Sequence, residues 1–380
     1  LGALLLAGGA QGDPAGEAAA PPAPPRAAVV SIEVPIDLAA IAPGLGDWLE
    51  VALSGAGYEV EPRRRIRAEA QGTGSAELVA VARRTGANRL FRALLYPVGP
   101  PGGRVELRLR AHDANGELIA AGTGRAIPAL LDEATRVALA QLLERLGQRG
   151  VSPPPSTLSD LHAYAAAREA LEKGDLIGAW RRLDGRDGPV ADRIRRRIQR
   201  ASQRSDVPLA VRSRIASVSG QAARGWLELR EAIRRSDDPA LLLAGAEAAR
   251  ARDDLAGAAR LYRQVTEAAP ASADAWAGRA SIHAAFGEFE QAEEAVRHAL
   301  ALAPQRPELH EELAAIESVP AAERAAHLLR AAELRSDRFE TTRARALADA
   351  AEKLDPSQAA PAAHRRGILD ARMGRPAAAA

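Results

Sequence analysis

The sequence predicts a small α+β N-terminal domain followed by an all-α array of helical repeats. Three observations carry that prediction. Short β-branched and alternating runs are confined to residues 27–147. Strand signals vanish after the proline-rich segment 148–157, and helical periodicity takes over. In the second half, residues of matching size recur 34 positions apart.

Composition fits this division. A chain of 380 residues has room for two or three domains. Hydrophobic residues make up 47% but aromatics only 3%, so the core must be built from Ala, Leu and Val. Such a core suits close helix contacts better than a deep aromatic pocket. The net charge is +2, from 51 basic and 49 acidic residues, so long-range steering by charge is weak. Lysine occurs only at Lys173 and Lys353, and no clustered basic surface points to nucleic acid as a partner. The absence of cysteine excludes disulfides, thiolate catalysis and Cys-based zinc sites.

Residues 1–26 divide into an apolar opening, LGALLLAGGAQG, and a Pro/Ala linker that cannot pack. The opening reads as the end of a signal-peptide apolar region, as the last turns of a membrane anchor, or as a disordered leader. Its apolar part is too short to span a bilayer by itself.

Within 27–147, Val29–Val34 reads as a strand. Leu45, Trp48, Leu49, Ala52 and Leu53 recur at helical spacing, and Gly57 can end that helix. YEVEP reads as a second strand. Ser75 can cap a helix with Leu78, Val81 and Ala82 inward and Gly86 closing it. Arg89–Tyr96 reads as a third strand. In RVELRLRA, Val105, Leu107, Leu109 and Ala111 share one face, with Glu106, Arg108 and Arg110 on a wet one. Asn115-Gly116 turns the chain into another strand. A last helix carries Leu131, Ala134, Ala138 and Leu142.

The runs WLEVALSGAGYEVEPR, ELVAVARRTGANRLFRALLY and RVELRLRAHDANGELIAAG together resemble the small N-terminal domain of TolB-like and CsgG-like bacterial envelope proteins. That resemblance implies an envelope location and recognition work. Two local motifs read as ordinary structure. HDANGE lacks the full ligand pattern of a calcium loop and reads as a hairpin turn. GTGS, Gly72–Ser75, lacks the Lys of a phosphate loop and reads as a loop plus helix cap.

Residues 158–380 show the repeat. Ala246 and Ala280, Ala258 and Ala292, Tyr262 and Val296, Val265 and Ala299, and Pro270 and Pro304 each lie 34 residues apart. This period and these residue types resemble the tetratricopeptide repeat (TPR). Leu242, Ala246, Ala258, Tyr262, Val265 and Pro270 make one full copy. Trp276, Ala280, Ala292, Val296, Ala299 and Pro304 make a second, with His283 where the family usually has Tyr. Two antiparallel helices approach closely only where side chains are small. Pro307–Arg338 is a shorter copy, and RALADAAEKLDP reads as a second helix ending at Pro356. The final stretch reads as a further repeat cut short. HAYAAAREALEKGDLIGAWRRL and Asp206–Asp237 are degenerate copies, giving five or six repeats in all.

The TPR resemblance implies that the first helix of each repeat lines a groove for an extended peptide or partner helix. Candidate groove residues are Leu243, Glu247, Arg250, Asp274, Ala277, Ser281, Glu308 and Glu311, a mixed surface turning acidic toward the C-terminus. The set does not match the carboxylate-clamp subclass. The seven histidines read as structural or surface residues, and no nucleophile elbow is present. RIRRRIQR, Arg193–Arg200, reads as a solvated cationic helix face with Ile194 and Ile198 inward. Nucleic acid or an acidic lipid surface would be its alternative use.

The expected function is therefore a non-catalytic protein–protein interaction scaffold or recognition protein, periplasmic or otherwise extracytoplasmic, with no cofactor and no metal. The alternative is the extracytoplasmic sensor or accessory region of a larger signalling protein whose effector lies upstream.

Overall fold

The computed structural model describes residues 24–62, 66, 74–99, 104–127, 130–148, 154 and 157–372. The apolar opening, the Pro/Ala linker up to residue 23, Gly72 and Thr73 of the GTGS motif, most of the 148–157 spacer and everything from Met373 onward lie outside the described residues.

Five strands form one mixed sheet: β1 (Arg26–Glu33), β2 (Glu59–Glu61), β3 (Arg89–Val98), β4 (Arg104–His112) and β5 (Leu118–Ala126), in the order β2-β1-β3-β4-β5. β1 runs parallel to β2 and β3, while β3, β4 and β5 are antiparallel. The parallel pairs require crossovers, supplied by α1 (Ala42–Gly55) and by α2 (Ser75–Thr85). Alternation decides which face each side chain meets. Val29, Phe91, Ala93, Leu107 and Leu109 pack against α1 and against α3 (Leu131–Arg145). Ala28 and Leu90 point the other way, onto Leu78, Val81 and Ala82 of α2.

Two local expectations change and one, the hairpin turn, holds. Ser75 is the first helical residue of α2 rather than its cap; Gly74 holds the cap position and no side chain caps it. The hairpin after β4 turns at Gly116, φ +81°, and the Asp113 carboxylate accepts the N–H groups of Asn115 and Glu117 at 2.9 Å each. Glu106, expected in water, is 1% exposed. The Tyr96 hydroxyl and the Arg108 and Arg125 guanidiniums close over its carboxylate.

β5 lies unusually near α3. A Cβ at Gly122 would stand 1.9 Å from the Ala138 carbonyl oxygen, and one at Gly124 would stand 2.0 Å from that of Ala134. The helix meets these glycines with the backbone of Ala134, Ala138 and Leu142. It also reaches the outer edge of β5: the Thr123 N–H donates to Gln141 Oε1 at 3.0 Å, and Arg145 donates to the Ala121 carbonyl.

Thirteen helices follow among the described residues: α4 (Leu158–Glu172), α5 (Leu176–Arg181), α6 (Pro189–Ser202), α7 (Leu209–Ala216), α8 (Ala222–Arg235), α9 (Pro239–Arg250), α10 (Leu255–Ala268), α11 (Ala273–Ala285), α12 (Phe289–Leu302), α13 (Pro307–Ala315), α14 (Ala321–Asp337), α15 (Thr341–Leu354) and α16 (Ala359–Arg372). First helices begin at Pro239, Ala273, Pro307 and Thr341, so the 34-residue step holds through four repeats. This corrects the reading of RALADAAEKLDP: it lies in α15, a first helix, and α16 is its second. The turns repeat as well. Asp175 and Asp254 cap α5 and α10 by accepting the N–H of Gly178 and Gly257, each at 2.8 Å, in DLIGA and DLAGA.

The two halves share a core. Trp48, Leu161, Tyr164, Ile194 and Ile198 are fully or nearly fully buried in one cluster with the inner sheet face. The Trp48 indole donates to the Pro154 carbonyl at 2.8 Å. A Cβ at Gly44 would meet the Leu161 carbonyl oxygen at 1.9 Å, so α1 lies directly on α4. At this junction Arg168, 3% exposed, donates to Asp47, 2% exposed, at 2.7 Å. Arg193 donates to Glu50 at 2.8 Å, and Arg197 stands 4.0 Å from Asp47. The arginine-rich helix therefore corrects the expectation of a fully solvated face. Ile194 and Ile198 do point inward, but Arg193 and Arg197 neutralise buried carboxylates of α1, while Arg196 and Arg200 face water.

Candidate protein-binding face

Leu242, Ala246, Ala258, Tyr262, Val265, Ala280, Ala292, Val296 and Ala299 are all buried between the helices of their repeats. Glycine shares the work of alanine here: a Cβ at Gly278 would lie 2.2 Å from the Tyr262 ring. Trp276 is half-buried. It stacks on His298 with ring centroids 4.4 Å apart, and Arg279 lies over its ring at 5.3 Å. Pro270 and Pro304 occupy exposed turns, and their carbonyls have a specific use. The Trp276 indole donates to the Pro270 oxygen at 2.8 Å. One repeat later, His310 makes the equivalent contact from Nε2 to the Pro304 oxygen at 3.0 Å.

The predicted groove residues separate into three groups. Leu243 is 8% exposed and belongs to the core, so it is corrected from groove to packing residue. Ala277 is half-buried against the same cluster as Trp276. Arg250 and Ser281 are exposed, with the Ser281 hydroxyl donating to the Gly278 carbonyl at 3.2 Å.

The four acids form the third group, and each is held by arginines. Glu247 accepts two bonds from Arg214 at 2.7 Å each. Such bidentate pairing fixes orientation as well as charge. Asp274 accepts from Arg181 at 2.5 Å, Arg214 at 3.1 Å and Arg306 at 2.9 Å. Burial alone would raise its pKa, but Arg181 and Arg214 outweigh that and hold it at about 2. Glu308 stands 3.1 Å from Arg335 and 3.2 Å from Arg338. Glu311 accepts from Arg335 at 2.8 Å and Arg343 at 2.6 Å. The expected acidic surface is thus neutralised from within. What remains is a polar, charge-balanced face whose acids are positioned by cations of neighbouring elements.

Sequence reading missed these arginines. One signal was present: Arg306 occupies the helix-cap position that Ser272 holds one repeat earlier, and arginine cannot accept the N–H bonds a cap requires. Its guanidinium is used sideways instead, on Asp274.

Among the described residues, no group of three or more His, Asp or Glu is placed to hold a metal, and no helix is long and apolar enough to cross a membrane. Residues 249–316 match the tetratricopeptide repeat family. The comparison with curated proteins found no match. Solved structures with similarity include a MamA RS-1 double mutant at 17% identity, covering 45% of this chain and 92% of that one, TM-score 0.33. A thermophilic TPR protein of Thermus thermophilus is 17% identical over 55% of this chain and 96% of its own, TM-score 0.28. YrrB, a TPR protein with an unusual peptide-binding site, is 16% identical over 40% of this chain and 86% of its own, TM-score 0.25.

Proposed function

We propose that this protein is a non-catalytic interaction scaffold that binds a peptide or helix of a protein partner on the first-helix face of its TPR array. The single observation that carries this reading is the arrangement of that face. Repeats in 249–316 present Arg250 and Ser281 to solvent beside carboxylates already fixed by arginines. A preset polar surface loses little side-chain freedom on binding, which favours recognition. The apolar opening of the chain and the TolB/CsgG-like pattern of residues 27–147 support an extracytoplasmic, envelope-associated setting for that work.

The chain lacks cysteine, so Ser281→Cys accepts a photoreactive crosslinker at one site. The same label at exposed Lys173 (Lys173→Cys) is the control. One discrete polypeptide should be captured from position 281 and not from 173. Equal capture from both positions, or none from 281, would reject this face as the binding surface.

A further inference from the structure

The start of the array touches its far end. Arg181, at the close of α5, reaches Asp274 at the start of α11, 93 residues away in sequence. Arg186, five residues on, stands 3.4 Å from Glu340, just before α15. His162 of α4 meets Phe339 edge-on, with ring centroids 5.3 Å apart. Arg186 is itself anchored by the Asp160 carboxylate and the Ser159 hydroxyl, both at 2.7 Å. Leu183 between them is 1% exposed in the core shared with the sheet. The 181–186 turn is therefore a fixed post, and the repeats from α11 to α15 curl round to meet it.

Phe339 carries a second mark of this contact. Its φ is +58°, a left-handed conformation that bulky L-residues rarely adopt. The other repeat-to-repeat turns carry Pro270 and Pro304 in unstrained backbone. The helix end itself accounts for part of the Phe339 conformation, since the Glu340 N–H donates to the Arg335 carbonyl at 3.0 Å, but a bulky ring in place of glycine there needs surroundings that hold it. Here the surroundings are His162 and the first core, against which the Phe339 ring packs.

We infer that Arg181–Asp274, Arg186–Glu340 and His162–Phe339 together form a clasp that holds the TPR array closed across its first-helix face and can release. Solenoid repeats contact only their neighbours, so the array bends readily once its ends are free. The Arg181–Asp274 pair is partly solvent-exposed, with side chains at 41% and 21%, so water can replace it, while Arg186 and Glu340 are each 16% exposed. The apolar contact is a single ring. Release would widen access to Arg250 and Ser281. The inference concerns the shape of the array and stands whether or not the proposed partner exists.

Two spin labels test it, at exposed Arg182 (Arg182→Cys) beside the post and exposed Lys353 (Lys353→Cys) on α15. The otherwise unaltered chain should give one narrow distance distribution. Phe339→Gly removes the ring and relieves the left-handed backbone at once. It should broaden the distribution and move it to longer distance while leaving the melting temperature nearly unchanged. Arg181→Ala with Arg186→Ala should broaden and lengthen the distribution in the same way. A distribution that stays narrow and unshifted in both variants would overturn the clasp. So would a broad distribution in the unaltered chain, because the ends would then never be held.

Discussion

Removing the Asp47 carboxylate should loosen the junction between the sheet and the array more than any surface change. Asp47 and Arg168 are 2% and 3% exposed, and their bond is 2.7 Å. Burial pushes the Arg168 guanidinium down, but Asp47 and Glu172 outweigh it and hold it above its ordinary value. In Asp47→Ala the guanidinium keeps Glu172, whose side chain is 50% exposed, and the charge of Glu50, while Arg197 loses its nearest acid too. Breaking one side of such a buried pair costs about 3–5 kcal/mol. Removing both charges is a different perturbation. Asp47→Leu with Arg168→Met replaces the pair by apolar volume, which is often neutral or stabilising by about 1–4 kcal/mol. Urea unfolding followed through tryptophan fluorescence, to which fully buried Trp48 contributes, distinguishes the cases. The single variant should unfold at markedly lower urea, and the double variant at or above the original midpoint. An Asp47→Ala midpoint equal to that of the unaltered chain would refute the reasoning, because the guanidinium would then have found water.

Ala280→Leu or Ala292→Leu should overpack the contact between α11 and α12 and cost roughly 1–3 kcal/mol, read as a lowered melting temperature. Gly278→Ala should have a similar effect of about 1–3 kcal/mol, since its new methyl falls on the Tyr262 ring; an unmoved near-ultraviolet tyrosine signal would contradict the close approach. Acid should destabilise the fold in two steps. Burial, with His310 beside His327 and Arg182 beside His162, lowers the pKa of both His327 and His162 below their ordinary 6.5. The unfolded chain then binds more protons, so stability falls as pH drops below about 6.5. Asp274 adds a second loss, present in full above about 4 and gone as pH falls through about 2. Melting temperatures measured at pH 7.5 and 5.0 that coincide would contradict the first step.

The elements that depend on nearby residues were legible in the sequence. Alternation in RVELRLRA assigned Val105, Leu107, Leu109 and Ala111 to the buried face, because strand period alone decides that. The 34-residue step gave α9 to α12 and their small contact residues. It missed α15 as a first helix because Arg338-Phe339-Glu340 lacks the proline that marks the earlier boundaries. The candidate binding face was read least well. Which acids would be paired depended on arginines 24 to 93 residues distant, such as Arg335 on Glu311 and Arg181 on Asp274, and no local pattern reports such a meeting. The same holds for Asp47 and Arg168, 121 positions apart. Two polar residues on otherwise apolar helix faces were the only trace they left.

The seal along β5 bears on how this molecule behaves in company. An edge strand offers a row of unused amides and carbonyls to any passing strand, and that is the usual start of sheet extension between molecules. Here Gln141 already occupies the Thr123 amide and Arg145 the Ala121 carbonyl, both sent from α3 across two glycines that let it lean close. A neighbouring chain would have to evict both before adding a strand. The opposite edge is β2, only three residues long. Self-association by sheet growth is thereby blocked at one margin and starved of length at the other.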